Sequence, residues 1–303
     1  MSKSDTNTML SAIAAGDKKI LARAITIVEN ELLGSKELLQ GIAIRDIPVL
    51  GITGPPGAGK SSLINSFLRH LLQLNKRVAV VAVYPTSPFN YGSLLADRLR
   101  MSEHFNNENV FIRSVATRGS LGGLSEKIIE VTDILKASDF DFIIIETVGV
   151  GQSEVEIAGL ADTTIVVLVP ESGDDIQAMK SGIMEIADIF IVNKADRDGA
   201  AALTTSINNM LGSRIQNDWQ IPVLNTVAVS GEGISELFEE VSKHRKSNKY
   251  NEKKFYLLAE KAYQLIRNHR MKNTSRKQVK ELLTEACKKP SFNLYKFVDQ
   301  IIN

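Results

Sequence analysis

Residues 54–61 read Gly-Pro-Pro-Gly-Ala-Gly-Lys-Ser, which matches the phosphate-loop pattern G-x-x-x-x-G-K-S. The apolar run 49–53 precedes this loop, and an amphipathic run with apolar residues at helical spacing follows it. Glycines between a strand and a helix let backbone N–H groups converge on phosphate oxygens, where the helix dipole also favours negative charge. The sequence therefore predicts a nucleoside triphosphate site at the start of an α/β domain.

The loop supplies the first predicted site residues. Lys60 is expected to neutralise the β and γ phosphates, and the hydroxyl of Ser61 is expected to ligate Mg²⁺. The other predicted nucleotide contacts of this region are Gly54, Gly57, Ala58, Gly59 and Ser62. A plain glycine-proline turn before a helix is the alternative interpretation of the same residues.

Short β-branched runs alternate with longer amphipathic stretches in the middle of the chain. Strands are predicted at 49–53, 78–83, 110–113, 142–145, 164–169, 189–192 and 223–227. Near-continuous apolar strands indicate burial on both faces, which a parallel sheet covered by helices provides. The predicted fold class is α/β, with three layers and a mainly parallel central sheet.

The segments on either side of the predicted sheet have helical patterns. Residues 1–46 are expected to form an N-terminal helical segment, with two or three short helices between Leu10 and Arg45. The nucleotide-binding domain is predicted at 47–247, and a basic helical extension at 248–303. The charge of that extension is interpreted as a solvated helix face, because aromatic residues are sparse among its lysines and arginines.

Composition excludes several classes of protein. The 36 Lys and Arg residues balance 35 Asp and Glu residues, and a formal net charge of +1 gives no whole-chain argument for a nucleic-acid or membrane-surface partner. Cys287 is the only cysteine, so a disulfide framework is excluded and a reducing compartment is favoured. Apolar runs are much shorter than the ~20 residues of a membrane span. We therefore expect a cytoplasmic protein that binds neither membranes nor nucleic acids.

Two loops predict that the base is guanine. Asn193-Lys194-Ala195-Asp196 follows the strand predicted at 189–192, at the end of the sheet where α/β proteins bind ligands. The Asp196 carboxylate can accept hydrogen bonds from N1 and N2 of guanine, two donors that adenine lacks. Ser230-Gly231 follows the last predicted strand and resembles the second base-contacting loop of G proteins. Taken alone, the first loop could be a polar turn and the second a glycine turn.

Glu146-Thr147-Val148-Gly149 ends the strand predicted at 142–145. An acidic group at this point can hold a Mg²⁺-bound water, and Gly149 leaves its backbone N–H free to meet the γ-phosphate and sense hydrolysis. The sequence therefore predicts metal-ligating roles for Ser61 and Glu146, and catalytic roles for Lys60, Glu146 and Gly149.

Four longer stretches carry a resemblance to a known family. Residues 146–154 read Glu-Thr-Val-Gly-Val-Gly-Gln-Ser-Glu, 173–177 read Gly-Asp-Asp-Ile-Gln, 182–188 read Gly-Ile-Met-Glu-Ile-Ala-Asp, and 118–124 read Arg-Gly-Ser-Leu-Gly-Gly-Leu. With these motifs, from about Leu10 to about Val241, the chain resembles the MeaB/ArgK family of P-loop GTPases. That family comprises G-protein chaperones of adenosylcobalamin-dependent acyl-CoA mutases, earlier described as lysine/arginine/ornithine (LAO/AO) transport ATPases.

The resemblance implies roles that spacing alone does not give. Asp97 matches a switch I carboxylate near Mg²⁺, so it joins the implied catalytic and metal-ligating residues. The segment 171–180 resembles an additional switch that relays the nucleotide state to the mutase; the implied coupling residues are Glu171, Asp174, Asp175, Gln177 and Lys180. An ordinary acidic loop that caps a helix is the alternative for this segment.

The family also implies an activity, cofactors and partners. The expected reaction is hydrolysis of GTP to GDP and phosphate with Mg²⁺. Hydrolysis would gate the loading, protection or repair of the cobalamin cofactor of the mutase. C-terminal helices would form a homodimer.

One position departs from the family pattern. The family reads Asp-Pro-Ser-Ser after its second strand, whereas residues 84–87 of this chain read Tyr-Pro-Thr-Ser. A phenol cannot replace a carboxylate electrostatically, so we expect Tyr84 to preserve GTP binding and to lower the rate of hydrolysis. This leaves open a nucleotide-dependent binding scaffold with weak or no GTPase activity.

Two other classes of protein fit the sequence less well. A metallochaperone GTPase would need a Cys/His cluster, whereas the four histidines are isolated along the chain. A small-molecule kinase would share the phosphate loop but would have no reason to carry Asn193-Lys194-Ala195-Asp196.

Overall fold

The structure is a computed structural model. It describes residues 3–84, 101–116, 127–147, 153–172, 183–212, 215–216, 219–247, 252–270, 276–287 and 292–302.

A parallel sheet of seven strands forms the centre of the described chain. Its strands are β1 (Val49–Thr53), β2 (Val78–Tyr84), β3 (Val110–Ala116), β4 (Phe142–Glu146), β5 (Thr163–Leu168), β6 (Ile189–Asn193) and β9 (Val223–Thr226). Their order across the sheet is β3-β2-β4-β1-β5-β6-β9, and every neighbouring pair is parallel. The predicted α/β fold class is confirmed, and each of the seven predicted strands is present within a few residues of its predicted bounds.

Helices cover both faces of this sheet. Those of the nucleotide-binding region are α4 (Lys60–Gln73), α5 (Ile128–Lys136), α6 (Ser153–Leu160), α7 (Ile183–Ile186), α8 (Ala200–Leu211) and α9 (Ile234–Ser247). Ile165 and Val167 of β5 belong to the hydrophobic cluster that α4 and α9 complete. Val166 and Leu168, the alternate residues of the same strand, belong to the cluster that α8 completes. Because side chains alternate between the faces of a strand, the helices lie on opposite faces and the three predicted layers are confirmed.

A glycine in the central strand lets α6 approach the sheet closely. A Cβ atom added to Gly51 would lie 2.5 Å from Cγ1 of Ile157 and 2.9 Å from Cβ of Ala161. Contacts this short do not occur between real carbon atoms, so a larger residue in β1 would push α6 outward.

A small hairpin was not predicted. β7 (Ile215–Gln216) and β8 (Trp219–Gln220) pair antiparallel as a separate two-stranded sheet. The indole Nε1–H of Trp219 donates to the carbonyl of Asp188, at a distance of 2.8 Å. The hairpin is therefore tied to the residue that precedes β6.

The N-terminal helices are α1 (Lys3–Ala14), α2 (Lys18–Glu29) and α3 (Ser35–Gly41). Three helices agree with the prediction, although the first begins before Leu10, in a polar stretch where Thr6 and Met9 are nevertheless buried. Asp17 caps α2 by accepting hydrogen bonds from the backbone N–H groups of Lys19 and Ile20.

Two hydrogen bonds and an ion pair attach α2 to the edge of the sheet. The ammonium of Lys18 donates to the carbonyls of Asn107 and Val110, at 2.9 and 2.8 Å. Arg113 of β3 forms an ion pair with Glu29. Edge strands expose backbone groups that can pair with other chains, and here α2 covers part of that edge.

The chain divides into two compact units, residues 1–254 and residues 255–303. The C-terminal helices are α10 (Glu252–Arg270), α11 (Arg276–Ala286) and α12 (Leu294–Ile302). They expose large apolar side chains, including Tyr256 and Tyr295. The finer division at 46 and 247 stays a prediction. Among the described residues, no helix has the length and apolar character needed to cross a bilayer.

Candidate functional site

The phosphate loop connects β1 to α4 at the carboxyl edge of the sheet. Gly54, Gly57 and Gly59 adopt φ angles of 137°, 79° and 84°, which favour glycine. A Cβ atom added to Gly54 would lie 2.1 Å from the carbonyl oxygen of Val167 in β5. Position 54 therefore requires glycine for two reasons: its backbone conformation and the close approach of the loop to β5.

Lys60 is the first residue of α4, and its side chain folds back over the loop. The ammonium donates hydrogen bonds to the carbonyls of Gly54 (2.7 Å) and Pro55 (3.0 Å), and the residue is buried. These contacts hold the positive charge inside the curve of the loop, where backbone N–H groups of a phosphate loop converge. The arrangement suits the predicted neutralisation of phosphate charge, which stays a prediction.

Ser61 and Glu146, the two predicted metal ligands in the described part of the chain, contact each other. The Ser61 hydroxyl donates to Oε1 of Glu146 at 2.7 Å, and both residues are buried. Beside them, the hydroxyl of Thr147 donates to that of Thr53 at 2.8 Å, which braces the ends of β4 and β1. Hydroxyl and carboxylate oxygens are the ligands that Mg²⁺ prefers, so the donor set fits this ion.

The Asn193 side chain joins three parts of the site. Its amide nitrogen donates to the carbonyl of Ala58 in the phosphate loop at 2.9 Å. Its amide oxygen accepts from the Thr226 hydroxyl (3.2 Å) and from the backbone N–H of Ala228 (3.1 Å). A Cβ atom added to Gly59 would lie 2.4 Å from this amide nitrogen, so glycine also makes room for the brace. Asn193 thus connects the phosphate loop to the loop after β9.

We expect Asn193→Ala to lower the free energy of unfolding by about 1–3 kcal/mol, because it leaves buried backbone groups without their partners. It should also weaken GTP binding, because the phosphate loop loses its brace. Urea unfolding and calorimetric titration with GTP would measure the two effects. Asn225→Ala is the matched control. Asn225 lies on the neighbouring strand, and its exposed side chain accepts a hydrogen bond from the Thr204 hydroxyl. Equal unfolding free energies in the two variants would contradict the prediction.

The two predicted base-contacting loops leave from neighbouring strands. Asn193 of β6 is in register with Thr226 of β9, so the residues after each strand emerge side by side. Asp196 and Ser230 are both exposed at this edge. The backbone N–H of Ala195 donates to the carbonyl of Thr226 at 3.0 Å, which ties the first loop to β9. The exposed carboxylate of Asp196 is therefore available to a ligand.

The second predicted base-contacting loop is hydrogen-bonded to α4. The Ser66 hydroxyl of α4 donates to the carbonyl of Ala228, and the backbone N–H of Gly231 donates to the carbonyl of Val227 at 3.0 Å. Gly231 has a φ of 84°, which favours glycine at this turn. The loop predicted to contact the base is thus fixed to the helix that begins at the phosphate loop.

Part of the predicted site lies outside the described residues. These predictions are Asp97, Gly149, Asp174, Asp175, Gln177 and Lys180. Glu171 is described, and it forms an ion pair with Arg197, next to Asp196. The pKa of the Glu171 carboxyl is lowered by a hydrogen bond from its own backbone and by the hydrogen bond from Arg197. Arg197 could not be identified from the sequence, because a single charged residue in an exposed loop forms no recognisable pattern.

The chain is similar in sequence and in structure to known proteins. The sequence model of the family described as "Methylmalonyl Co-A mutase-associated GTPase MeaB" matches residues 21–289. The chain is 44% identical over 244 residues to a protein of Pyrococcus horikoshii, covering 78% of this chain and 77% of that one. It is 37% identical over 238 residues to the GTPase ArgK of Escherichia coli, covering 75% and 72%. The crystal structure of an LAO/AO transport system kinase is 26% identical, with a TM-score of 0.71, and covers 99% of this chain and 97% of that chain.

Proposed function

The chain belongs to the MeaB family of P-loop GTPases, and we propose that it is the GTP-dependent chaperone of an adenosylcobalamin-dependent acyl-CoA mutase. In this role, hydrolysis of GTP would gate the loading, protection or repair of the cobalamin cofactor of the mutase. The description of the family as associated with methylmalonyl-CoA mutase supports the choice of partner. The contact between Ser61 and Glu146 carries the assignment of the catalytic centre.

We propose that Ser61 and Glu146 hold Mg²⁺ together with Asp97. When bound, this ion would neutralise negative charge on the β and γ phosphates. The Ser61 hydroxyl oxygen and Oε1 of Glu146 lie 2.7 Å apart. On binding Mg²⁺, the hydroxyl would give up its hydrogen bond to the carboxylate and ligate the ion.

The remaining roles belong to residues of the chain itself. Lys60 would offer its ammonium to the phosphates in place of the carbonyls of Gly54 and Pro55. Asp196 would accept hydrogen bonds from guanine, and the backbone N–H of Gly149 would meet the γ-phosphate. Phosphoryl transfer depends mainly on positioning and on charge stabilisation, which these groups would supply.

Coupling to the partner is proposed for the segment 171–180, through Glu171, Asp174, Asp175, Gln177 and Lys180. A γ-phosphate sensor influences a partner only through a segment with two arrangements whose balance the phosphate shifts. We further propose that the protein is a cytoplasmic homodimer. The exposed apolar side chains of the C-terminal helices favour the homodimer, because such side chains mark surfaces that bind another protein.

The test is hydrolysis of GTP with and without purified methylmalonyl-CoA mutase. The mutase is expected to accelerate hydrolysis by the wild-type protein, and Lys180→Ala is expected to abolish the acceleration while basal hydrolysis stays within about threefold. A mutase that leaves hydrolysis unchanged would contradict the choice of partner. Stimulation that survives in Lys180→Ala would place the coupling elsewhere in the chain.

A second candidate function is a nucleotide-dependent binding scaffold that hydrolyses GTP weakly or not at all. Tyr84 favours it, because the resemblance to the family implies an aspartate at the position where this chain has a tyrosine. A single-turnover measurement separates the two functions: a scaffold would bind the mutase in a GTP-dependent manner without converting the bound GTP on the time scale of binding.

A further inference from the structure

The loop that carries Asp196 is hydrogen-bonded to β9 on one side, whereas Asp196 and Arg197 are exposed to solvent. On the side of β9, the backbone N–H of Ala195 donates to the carbonyl of Thr226 at 3.0 Å. Within the loop, the N–H of Arg197 donates to the carbonyl of Lys194 at 3.0 Å, and Lys194 has a φ of 57°, which is uncommon for a residue other than glycine. A backbone held in this conformation needs support from its surroundings.

The support on the other side comes from the turn after β5. This turn comprises Pro170–Ser172, and its Glu171 carboxylate accepts a hydrogen bond from the guanidinium of Arg197. A Cβ atom added to Gly199 would lie 3.7 Å from Cβ of Pro170, which is ordinary van der Waals distance. The turn therefore lies directly against the end of the loop, and the ion pair spans the same junction.

We propose that the Arg197–Glu171 ion pair positions the guanine-binding loop, so that Arg197 and Glu171 are positioning residues for the base. The inference rests on the proposed function, because it presumes that Asp196 reads guanine. Arg197 is adjacent to Asp196, so a fixed guanidinium restricts the backbone that places the carboxylate. When the pair is broken, a smaller fraction of the protein has the loop in its binding conformation, and the apparent affinity falls by that fraction.

The position of Glu171 gives the pair a second consequence. Glu171 is also the first residue of the segment 171–180, for which coupling to the partner is proposed above. The ion pair therefore connects the base-binding loop directly to the start of that segment. The charge of Lys194 also favours the ionised carboxyl of Glu171, so both cations of the loop are attracted to this turn.

The expected effect is modest and sensitive to salt. The side chains of Arg197 and Glu171 are 52% and 51% exposed, and exposed ion pairs change equilibria by about two- to fivefold. Solvent-exposed charges are screened at high ionic strength. Loss of the pair should therefore accelerate nucleotide release by about two- to fivefold at low salt and much less at high salt.

The experiment measures the dissociation rate of fluorescently labelled GDP from the full chain. The variants are Arg197→Glu, Glu171→Arg and the double exchange of both residues. Each single variant is expected to release GDP about two- to fivefold faster than the wild type, and the double exchange is expected to return the rate towards the wild-type value. Binding of inorganic triphosphate, which lacks a base, should be equal in all four proteins.

Arg45→Ala is the matched control. Arg45 forms an ion pair with Asp139, and their side chains are 47% and 54% exposed, close to the values of the proposed pair. Asp139 precedes β4, so this pair lies at the opposite edge of the sheet from the nucleotide loops. We expect wild-type GDP release from this variant, together with an unchanged melting temperature for every protein in the set.

Three results would overturn the inference while leaving the proposed function intact. They are unchanged GDP release in the single variants, a double exchange that is as fast as the single variants, and an equal loss of affinity for inorganic triphosphate. Failure of the wild-type chain to bind GDP at all would instead overturn the proposed function, and the inference with it.

Discussion

Tyr84→Asp is expected to raise the rate of intrinsic GTP hydrolysis by about 10²- to 10⁴-fold, the range that one well-placed proton-accepting group contributes. Tyr84 is the last residue of β2, and β2 pairs with β4 so that Ala82 is in register with Glu146. A carboxylate two residues beyond that register position emerges at the same edge of the sheet as the proposed Mg²⁺ ligand. Such a carboxylate could orient the attacking water or accept its proton. Single-turnover hydrolysis with Mg²⁺ and GTP measures the effect.

Two controls separate charge from size and binding from turnover. Tyr84→Asn introduces a side chain of the same size as aspartate without the charge, and should stay near the wild-type rate. Lys60→Ala should abolish binding. A fast wild-type enzyme that Tyr84→Asp leaves unchanged or slows would mean that another group already activates the water, and the scaffold function would lose its support.

Asp196→Asn is expected to change the preferred base from guanine to xanthine. An asparagine amide can accept from N1 of xanthine and donate to its 2-carbonyl, whereas guanine then offers two donors to a group with one acceptor. Hydrogen bonds to charged groups contribute about 1.5–3 kcal/mol, so the loss for GTP and the gain for XTP together shift the ratio of their dissociation constants by about 10²- to 10⁴-fold. Calorimetric titration with GTP, XTP and ATP measures this ratio.

Asp198→Asn is the matched control for the predicted change in base preference. Asp198 is exposed in the same loop, so the variant removes an equal charge two residues away without removing the proposed base contact. It should keep the wild-type preference for GTP. Equal affinity of the wild-type protein for GTP and ATP would show that Asp196 does not read the base.

Local patterns predicted the strands wherever the strands are buried on both faces. β1, β4 and β6 are buried at every position, and their predicted bounds agree with the structure to within one residue. β3 was predicted at 110–113 but extends to Ala116. It is an edge strand with partly exposed residues at its end, so its apolar pattern stops before its hydrogen bonds to β2 do.

The polar N-terminus shows the same limitation for helices. Thr6 and Met9 of α1 are buried against neighbouring elements, yet the stretch has too little apolar periodicity to predict a helix. The β7–β8 hairpin has only two residues in each strand, and it is positioned through the Trp219 indole rather than through a local pattern. Both elements depend on partners distant in sequence.

The amino-acid sequence was sufficient to predict the family, the α/β class and the phosphate loop, because a glycine pattern between an apolar strand and an amphipathic helix is a local property. It did not fix the contacts that assemble the site. Ser61 and Glu146 are 85 residues apart, Asn193 and Ala58 are 135 apart, and Glu171 and Arg197 are 26 apart. These pairs meet because the strand order brings the ends of β1, β4, β5 and β6 to one edge of the sheet, and that order arises from the packing of the whole chain.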